Sequence, residues 1–305
     1  MSAPPLLAVA VGGTALVRRG EAVTWAAQQA RAANAARLLA PLASDARLLI
    51  THGNSPQVGF LARQAADADA PRPLDALDAE TEGMVGYVLA QAVGNELAGR
   101  ELAVLLTRVL VDSDDPAFGL PAKPVGPVYS RAVAHSLAAR LGWSVAQDGA
   151  HWRRVVPSPE PQGVLELRSI RVLLDAGAVV VCAGGGGIPV VARAGGGHDG
   201  VEAVVDKDLA TSLLAIELEA DSLVLLTDVD AIRRRFGRPD AQPISRITPE
   251  ALRAMALPAG TMGPKAEAAC RFVEATGRTA MIGALDDAAA VVRGESGTVV
   301  AAGQR

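Results

Sequence analysis

The stretch Ala178-Val179-Val180-Val181-Cys182-Ala183-Gly184-Gly185-Gly186-Gly187-Ile188-Pro189-Val190-Val191 sets apolar, β-branched runs on either side of four consecutive glycines. The first run has the composition of a buried strand. Glycine tolerates backbone angles and close approaches closed to other residues, so a loop of this kind can turn N–H groups toward an anion, with phosphate the favoured guest. A flexible linker is the plainer alternative, but linkers carry polar neighbours and this run is clamped between apolar segments.

Outward from it, short apolar runs at 6–11, 46–51, 103–111, 223–227 and 279–282 alternate with helical stretches at 21–39, 74–100 and 166–175. That alternation predicts an α/β fold with a largely parallel sheet. Gly83 and Gly86 predict interruptions in the second helix, and 201–205 reads as strand-like. Ala266, Ala269, Cys270 and Val273 fall at i, i+3, i+4 and i+7, the buried face of a further helix. Between 112 and 162 the rhythm breaks: prolines accumulate and Trp143 and Trp152 appear, as in an excursion with its own small fold.

Composition narrows the function classes. The 305 residues are 50% hydrophobic yet only 3% aromatic, so the core is built from Ala, Val and Leu. A net charge of −4 supplies no field that would gather nucleic acid or an anionic membrane, which leaves small molecules as the expected partners. No apolar run approaches the roughly 20 residues of a spanning helix, and a soluble, cytoplasmic protein is expected. Cys182 and Cys270 have neither CxxC spacing nor a histidine close by, so buried, reduced thiols are expected.

In parallel α/β sheets ligands bind beyond the carboxyl ends of the strands. Here the residues just after three strands are small: Gly12-Gly13-Thr14, His52-Gly53-Asn54-Ser55, and Gly184 to Gly187. Together they predict a polyanion cradle reinforced by helix N-termini. None is a Walker A loop or a dinucleotide fingerprint, and His52 with Ser55 lacks a G-x-S-x-G elbow, so His52 is read as a loop histidine bonded to backbone. Phosphoryl transfer needs cations over the transferring group. The chain has only three lysines, Lys123, Lys207 and Lys265, amid abundant arginine, which points to sites that require a compact ammonium.

These residues give the chain a close resemblance to the carbamate kinases of the amino acid kinase family. The matching stretches are Val11-Gly12-Gly13, His52-Gly53-Asn54 with Pro56-Gln57-Val58-Gly59, Lys123-Pro124-Val125-Gly126-Pro127, Trp152-Arg153-Arg154-Val155-Val156-Pro157-Ser158-Pro159, the glycine run through Val191, Gly200 to Asp208, Thr227-Asp228-Val229-Asp230 and Met262-Gly263-Pro264-Lys265-Ala266-Glu267-Ala268-Ala269. They span nearly the whole chain in order.

The resemblance implies a three-layer αβα sandwich, a substrate-binding lobe over 1–200 with a protruding subdomain near 118–162, and a nucleotide-binding lobe over 201–305. It implies reversible phosphoryl transfer between ATP and carbamate, run toward ATP in arginine catabolism, by a homodimer using ATP or ADP with Mg2+. By motif match, Lys207 and Lys265 would neutralise the transferring group, Asp208 would orient them, and Lys123 would reach the carbamoyl phosphate. Gly12, Gly13, Thr14, Gly53, Asn54, Ser55, Gly184, Gly185, Gly186 and Gly187 would hold substrate and phosphoryl groups. Thr227, Asp228, Asp230 and Met262 would border the nucleotide, and no residue is assigned as a metal ligand. Relatives usually carry Asn where this chain has Thr14 and Gly where it has Ser55. Another small carboxylate or phosphate acceptor, or a catalytically weak nucleotide-binding regulator, therefore stays open.

Overall fold

A computed structural model describes residues 3–13, 24–67, 72–257 and 262–303. Its centre is an eight-stranded sheet in the order Arg246–Ile247, Thr298–Val300, Thr279–Ala284, Ser222–Thr227, Leu6–Val11, Arg47–His52, Val179–Val181, Leu102–Val104. Neighbours run parallel except Thr279–Ala284 with Thr298–Val300. Leu6–Val11 is buried along its whole length, as a strand covered on both faces must be.

Side chains alternate across a strand, and here the alternation builds two cores. Leu6, Ala8 and Ala10 pack with Leu214 and Phe272 on one face, while Leu7, Val9 and Val11 pack with Ala35, Leu39 and Leu89 on the other. Helices Lys207–Glu217 and Met262–Thr276 cover the first face. Trp25–Leu39 and Leu74–Glu96 cover the second, which makes the three layers. Cys182 and Cys270 are buried, as expected. None of the described helices is long and apolar enough to cross a membrane.

The irregular segment folds as the antiparallel sheet Lys123–Tyr129, His151–Val156, Ser144–Asp148, with helix Arg131–Leu141 packed on it. Ser130 caps that helix and Gly142 ends it in the left-handed region. Trp152 packs against His135, and the Arg154 guanidinium lies 4.5 Å from the Trp143 ring centroid.

Three expectations need correction. The apolar run 103–111 is two strands: Leu102–Val104 edges the main sheet, and Arg108–Leu110 joins a second sheet beside Ile188–Ala192. The chain changes sheets at Thr107, whose N–H donates to Glu82 Oε2 and whose Oγ1 accepts from Ala183 N. Helix Leu74–Glu96 is uninterrupted, and Gly86 serves close packing: a Cβ there would lie 2.8 Å from Val104 Cγ1. Finally, 201–205 pairs with no strand; Val204 N instead donates to Pro157 O.

Candidate active site

Three loops leave the carboxyl edge of the sheet side by side. Gly12 N donates to Leu226 O at 3.0 Å, Gly53 N to Val11 O at 3.1 Å, and Cys182 N to Ile50 O at 3.0 Å, so each exit is fixed by its neighbouring strand. A Cβ on Gly53 would lie 2.7 Å from Gly13 N, so the first two loops meet backbone to backbone. Gly185 has φ +74°, and a Cβ there would come within 2.2 Å of the Asn54 amide, which joins the third loop to the second.

The glycine run uses its amides differently from the sequence expectation. Gly184 N donates to Glu82 Oε1 at 2.8 Å, Gly186 N to Ala183 O and Gly187 N to Gly184 O. Among the described residues only Gly185 N in this run lacks an acceptor. The run therefore provides close approach more than a nest of donors, and the remaining amide donors come from the second loop. Asn54 N and Ser55 N, at the start of helix Ser55–Asp67, have no acceptor among the described residues, as first-turn amides do not.

All three lysines converge on two carboxylates at the N-terminus of helix Lys207–Glu217. Asp206 caps the helix, its Oδ1 accepting from Asp208 N and Leu209 N, while Oδ2 pairs with Lys123 Nζ at 2.8 Å. Asp208 Oδ1 lies 2.6 Å from Lys207 Nζ and Oδ2 lies 2.8 Å from Lys265 Nζ. Lys265 arrives from the first turn of Met262–Thr276, and Lys123 opens a strand of the small sheet. Lys207, Asp208 and Lys265 are 9%, 5% and 7% exposed, a charge triad that keeps ionised partners in contact under cover.

Burial alone would neutralise these groups, and the pairing decides which stay charged. Burial pulls Lys207 down to about 8, with Lys265 adding to the fall and Asp208 resisting it. Burial works against Lys265 too, but Asp208 outweighs it and holds that ammonium above its ordinary value. Burial would raise Asp208, yet Lys207 and Lys265 keep it well below the usual carboxylate range.

Helix Leu74–Glu96 contributes residues that sequence reading missed. Asp78, Thr81 and Glu82 are each at most 1% exposed on a face otherwise lined by Leu74, Leu77, Val85 and Leu89. Asn54 Nδ2 donates to Thr81 Oγ1 at 2.8 Å and to Asp78 Oδ1 at 3.2 Å, and Glu82 ties Gly184 to Thr107. Burial pushes Glu82 up to about 8 and raises Asp78 well above the carboxylate range. The available signal was two acids inside an apolar helical stripe, where unpaired charge is rarely tolerated. His52 bonds backbone as expected, its Nδ1 3.4 Å from Gly53 O, but it is no loop residue: it ends strand Arg47–His52, is buried, and holds its ring where a Cβ on Gly184 would lie. Burial lowers it to about 4, so it is neutral at pH 7.

Thr227 ends strand Ser222–Thr227, one position beyond the Leu226 carbonyl that receives Gly12 N, and its Oγ1 donates to Asp228 Oδ1. Asp230 pairs with Arg233 at 2.6 Å, and the Arg234 and Arg235 side chains are exposed beside it. Met262 opens the helix that carries Lys265. Thr14 lies outside the described residues.

A sequence model of the amino acid kinase family matches residues 5–284, and the chain belongs to that family. Within it, the likeness to carbamate kinases runs nearly end to end. The carbamate kinase of Rhizobium meliloti is 50% identical over 297 residues, covering 96% of this chain and 92% of that protein. The structure of Giardia lamblia carbamate kinase bound to citric acid superposes with a TM-score of 0.92 at 35% identity, covering 99% of both chains. The same Giardia enzyme bound to AMP-PNP gives 0.88, at 35% identity and the same coverage.

Proposed function

We propose that this protein is a carbamate kinase, transferring a phosphoryl group reversibly between ATP and carbamate, with net flow toward ATP in arginine catabolism. The observation that carries the proposal is the convergence of the only three lysines on Asp206 and Asp208 beside the glycine loops. Carbamate binds on the side of the Gly12-Gly13 and Gly53-Asn54-Ser55 loops, and the nucleotide lies along Thr227, Asp228, Asp230 and Met262. The Giardia relative bound to AMP-PNP supports a nucleotide site in this architecture.

In the forward direction a carbamate oxygen attacks the γ-phosphorus of ATP. The new O–P bond forms as the bond to the β–γ bridging oxygen breaks, and ADP leaves with the electron pair. The attacking oxygen is already anionic, so no general base is required. Catalysis then rests on position and charge. Lys207 and Lys265 stabilise the transferring phosphoryl oxygens, Asp208 holds both ammonium groups in place, and the amides of Asn54, Ser55 and Gly185 supply donors at the acceptor side. Lys123, anchored to Asp206, reaches the carbamoyl phosphate from the small sheet. Magnesium arriving with the nucleotide would supply further charge neutralisation at its phosphates; the described residues contain no group of three acids, histidines or cysteines able to cage a metal.

A homodimer belongs to the same proposal. Among the described residues the edge strand Leu102–Val104 has no partner on its outer side, and Tyr87, Val104 and Leu106 beside it are exposed, the surface a second copy would cover. Incubation with carbamoyl phosphate and ADP, read by ATP formation, tests the activity. Absence of ATP at millimolar substrate refutes it.

A further inference from the structure

Lysines and backbone amides recognise charge, and charge does not distinguish carbamate from acetate; only the amine does. Two buried acceptors stand beside the proposed substrate loops without a donor. Asn54 and Asp78 are 0% and 1% exposed. Asn54 Nδ2 has two acceptors, Asp78 Oδ1 and Thr81 Oγ1, which fixes the amide's orientation. Asn54 Oδ1 and Asp78 Oδ2 are left with no hydrogen-bond partner among the described residues. Leaving a buried acceptor unmade costs about 1–3 kcal/mol, so two of them flanking one hydrogen bond call for an explanation.

Their position indicates what fills them. The Asn54 amide abuts Gly185 of the glycine run, and Asp78 is bonded to that same amide. The tie between the second loop and helix Leu74–Glu96 is made by the other atoms of the two side chains, so the orphaned oxygens are not needed for it. Gln57 Oε1 is also without a partner, and its own NH2 is tied to Gln28 Oε1.

We propose, building on the carbamate kinase reading, that Asn54 Oδ1 and Asp78 Oδ2 form an amine subsite that accepts the two N–H groups of carbamate or carbamoyl phosphate. Two acceptors match two hydrogens. Burial favours protonated Asp78, Asn54's bond opposes this, Glu82 and Asp75 reinforce it, and Lys123 opposes it. Ligand N–H donors stabilise the carboxylate form and keep Oδ2 an acceptor. A methyl in place of the amine offers nothing to either oxygen.

The test compares carbamoyl phosphate with acetyl phosphate as phosphoryl donors to ADP, in the wild type and in Asp78→Asn. The variant keeps its amide oxygen toward Asn54 and places an NH2 where Oδ2 stood, so donor meets donor. The kcat/KM ratio of carbamoyl to acetyl phosphate should exceed about 10 in the wild type and fall on the order of 10- to 100-fold in Asp78→Asn. A wild-type ratio near one overturns the subsite whatever the variant does, and so does a ratio unchanged by the substitution. ATP from neither donor overturns the kinase reading on which the subsite rests, whereas ATP formed without discrimination overturns the subsite alone.

Discussion

Replacing Asp208 by Asn removes the one carboxylate shared by two buried ammonium groups. The carboxylate sits 2.6 Å from Lys207 Nζ and 2.8 Å from Lys265 Nζ. At an effective dielectric of about 20, each contact carries a gross attraction on the order of 6 kcal/mol. Desolvation cancels much of that, and truncating one member of a buried ion pair costs about 3–5 kcal/mol net. The Asn oxygen can serve one ammonium, while its NH2 faces the other.

The variant escapes part of this cost by releasing the proton from Lys207, already drawn down to about 8 in the wild type. In the unfolded chain that lysine keeps its proton to about 10.4, so the unfolded state binds more protons over the intervening range and stability recovers as pH rises. The deficit of Asp208→Asn is therefore largest near pH 6 and shrinks toward pH 9. Turnover also falls, on the order of 10³-fold, because one neutral lysine leaves the phosphoryl oxygens short of a cation. Urea unfolding at three pH values, with steady-state ATP formation, measures both. A variant within about 1 kcal/mol of wild type at pH 6, with kcat within tenfold, refutes the shared-carboxylate reasoning.

In wild type, kcat/KM for carbamoyl phosphate should fall as pH rises through about 8, where free-enzyme Lys207 loses its proton; a profile flat to pH 10 contradicts this. His52 is held at about 4 against an ordinary 6.5, so protons bind the unfolded chain first and stability drops as pH falls from 6.5 toward 4, by up to about 3 kcal/mol. Denaturant midpoints across that range should show this drop, with His52→Asn lacking that portion. Gly185→Ala forces a methyl into the Asn54 amide at a positive φ, and destabilisation of about 1–3 kcal/mol is expected by thermal melting; an unshifted melt would mean the loops are not in contact.

Much of the fold is legible in the sequence alone. Leu6–Val11, Arg47–His52 and Ser222–Thr227 read as strands because parallel strands covered on both faces leave uninterrupted apolar runs. The lysines were legible through scarcity, a compositional signal that needs no geometry. Thr107 was not, since a single residue that carries the chain from one sheet to another resembles any threonine in an apolar run. Asp78 and Glu82 were hidden for a related reason: their partners Asn54, Thr107 and Gly184 are distant in sequence and meet them only once the helix is folded against the loops. The glycine run stands out in the sequence, but sequence does not tell an amide turned toward a ligand from one spent, as Gly184 N is, on Glu82.

ATP formation from carbamoyl phosphate and ADP, measured for wild type and Lys207→Ala side by side, tests the central claim most directly. Wild type should turn over readily, and the variant should lose on the order of 10³-fold or more in rate while still melting cooperatively. Equal rates in the two proteins, or no ATP from wild type, would contradict it.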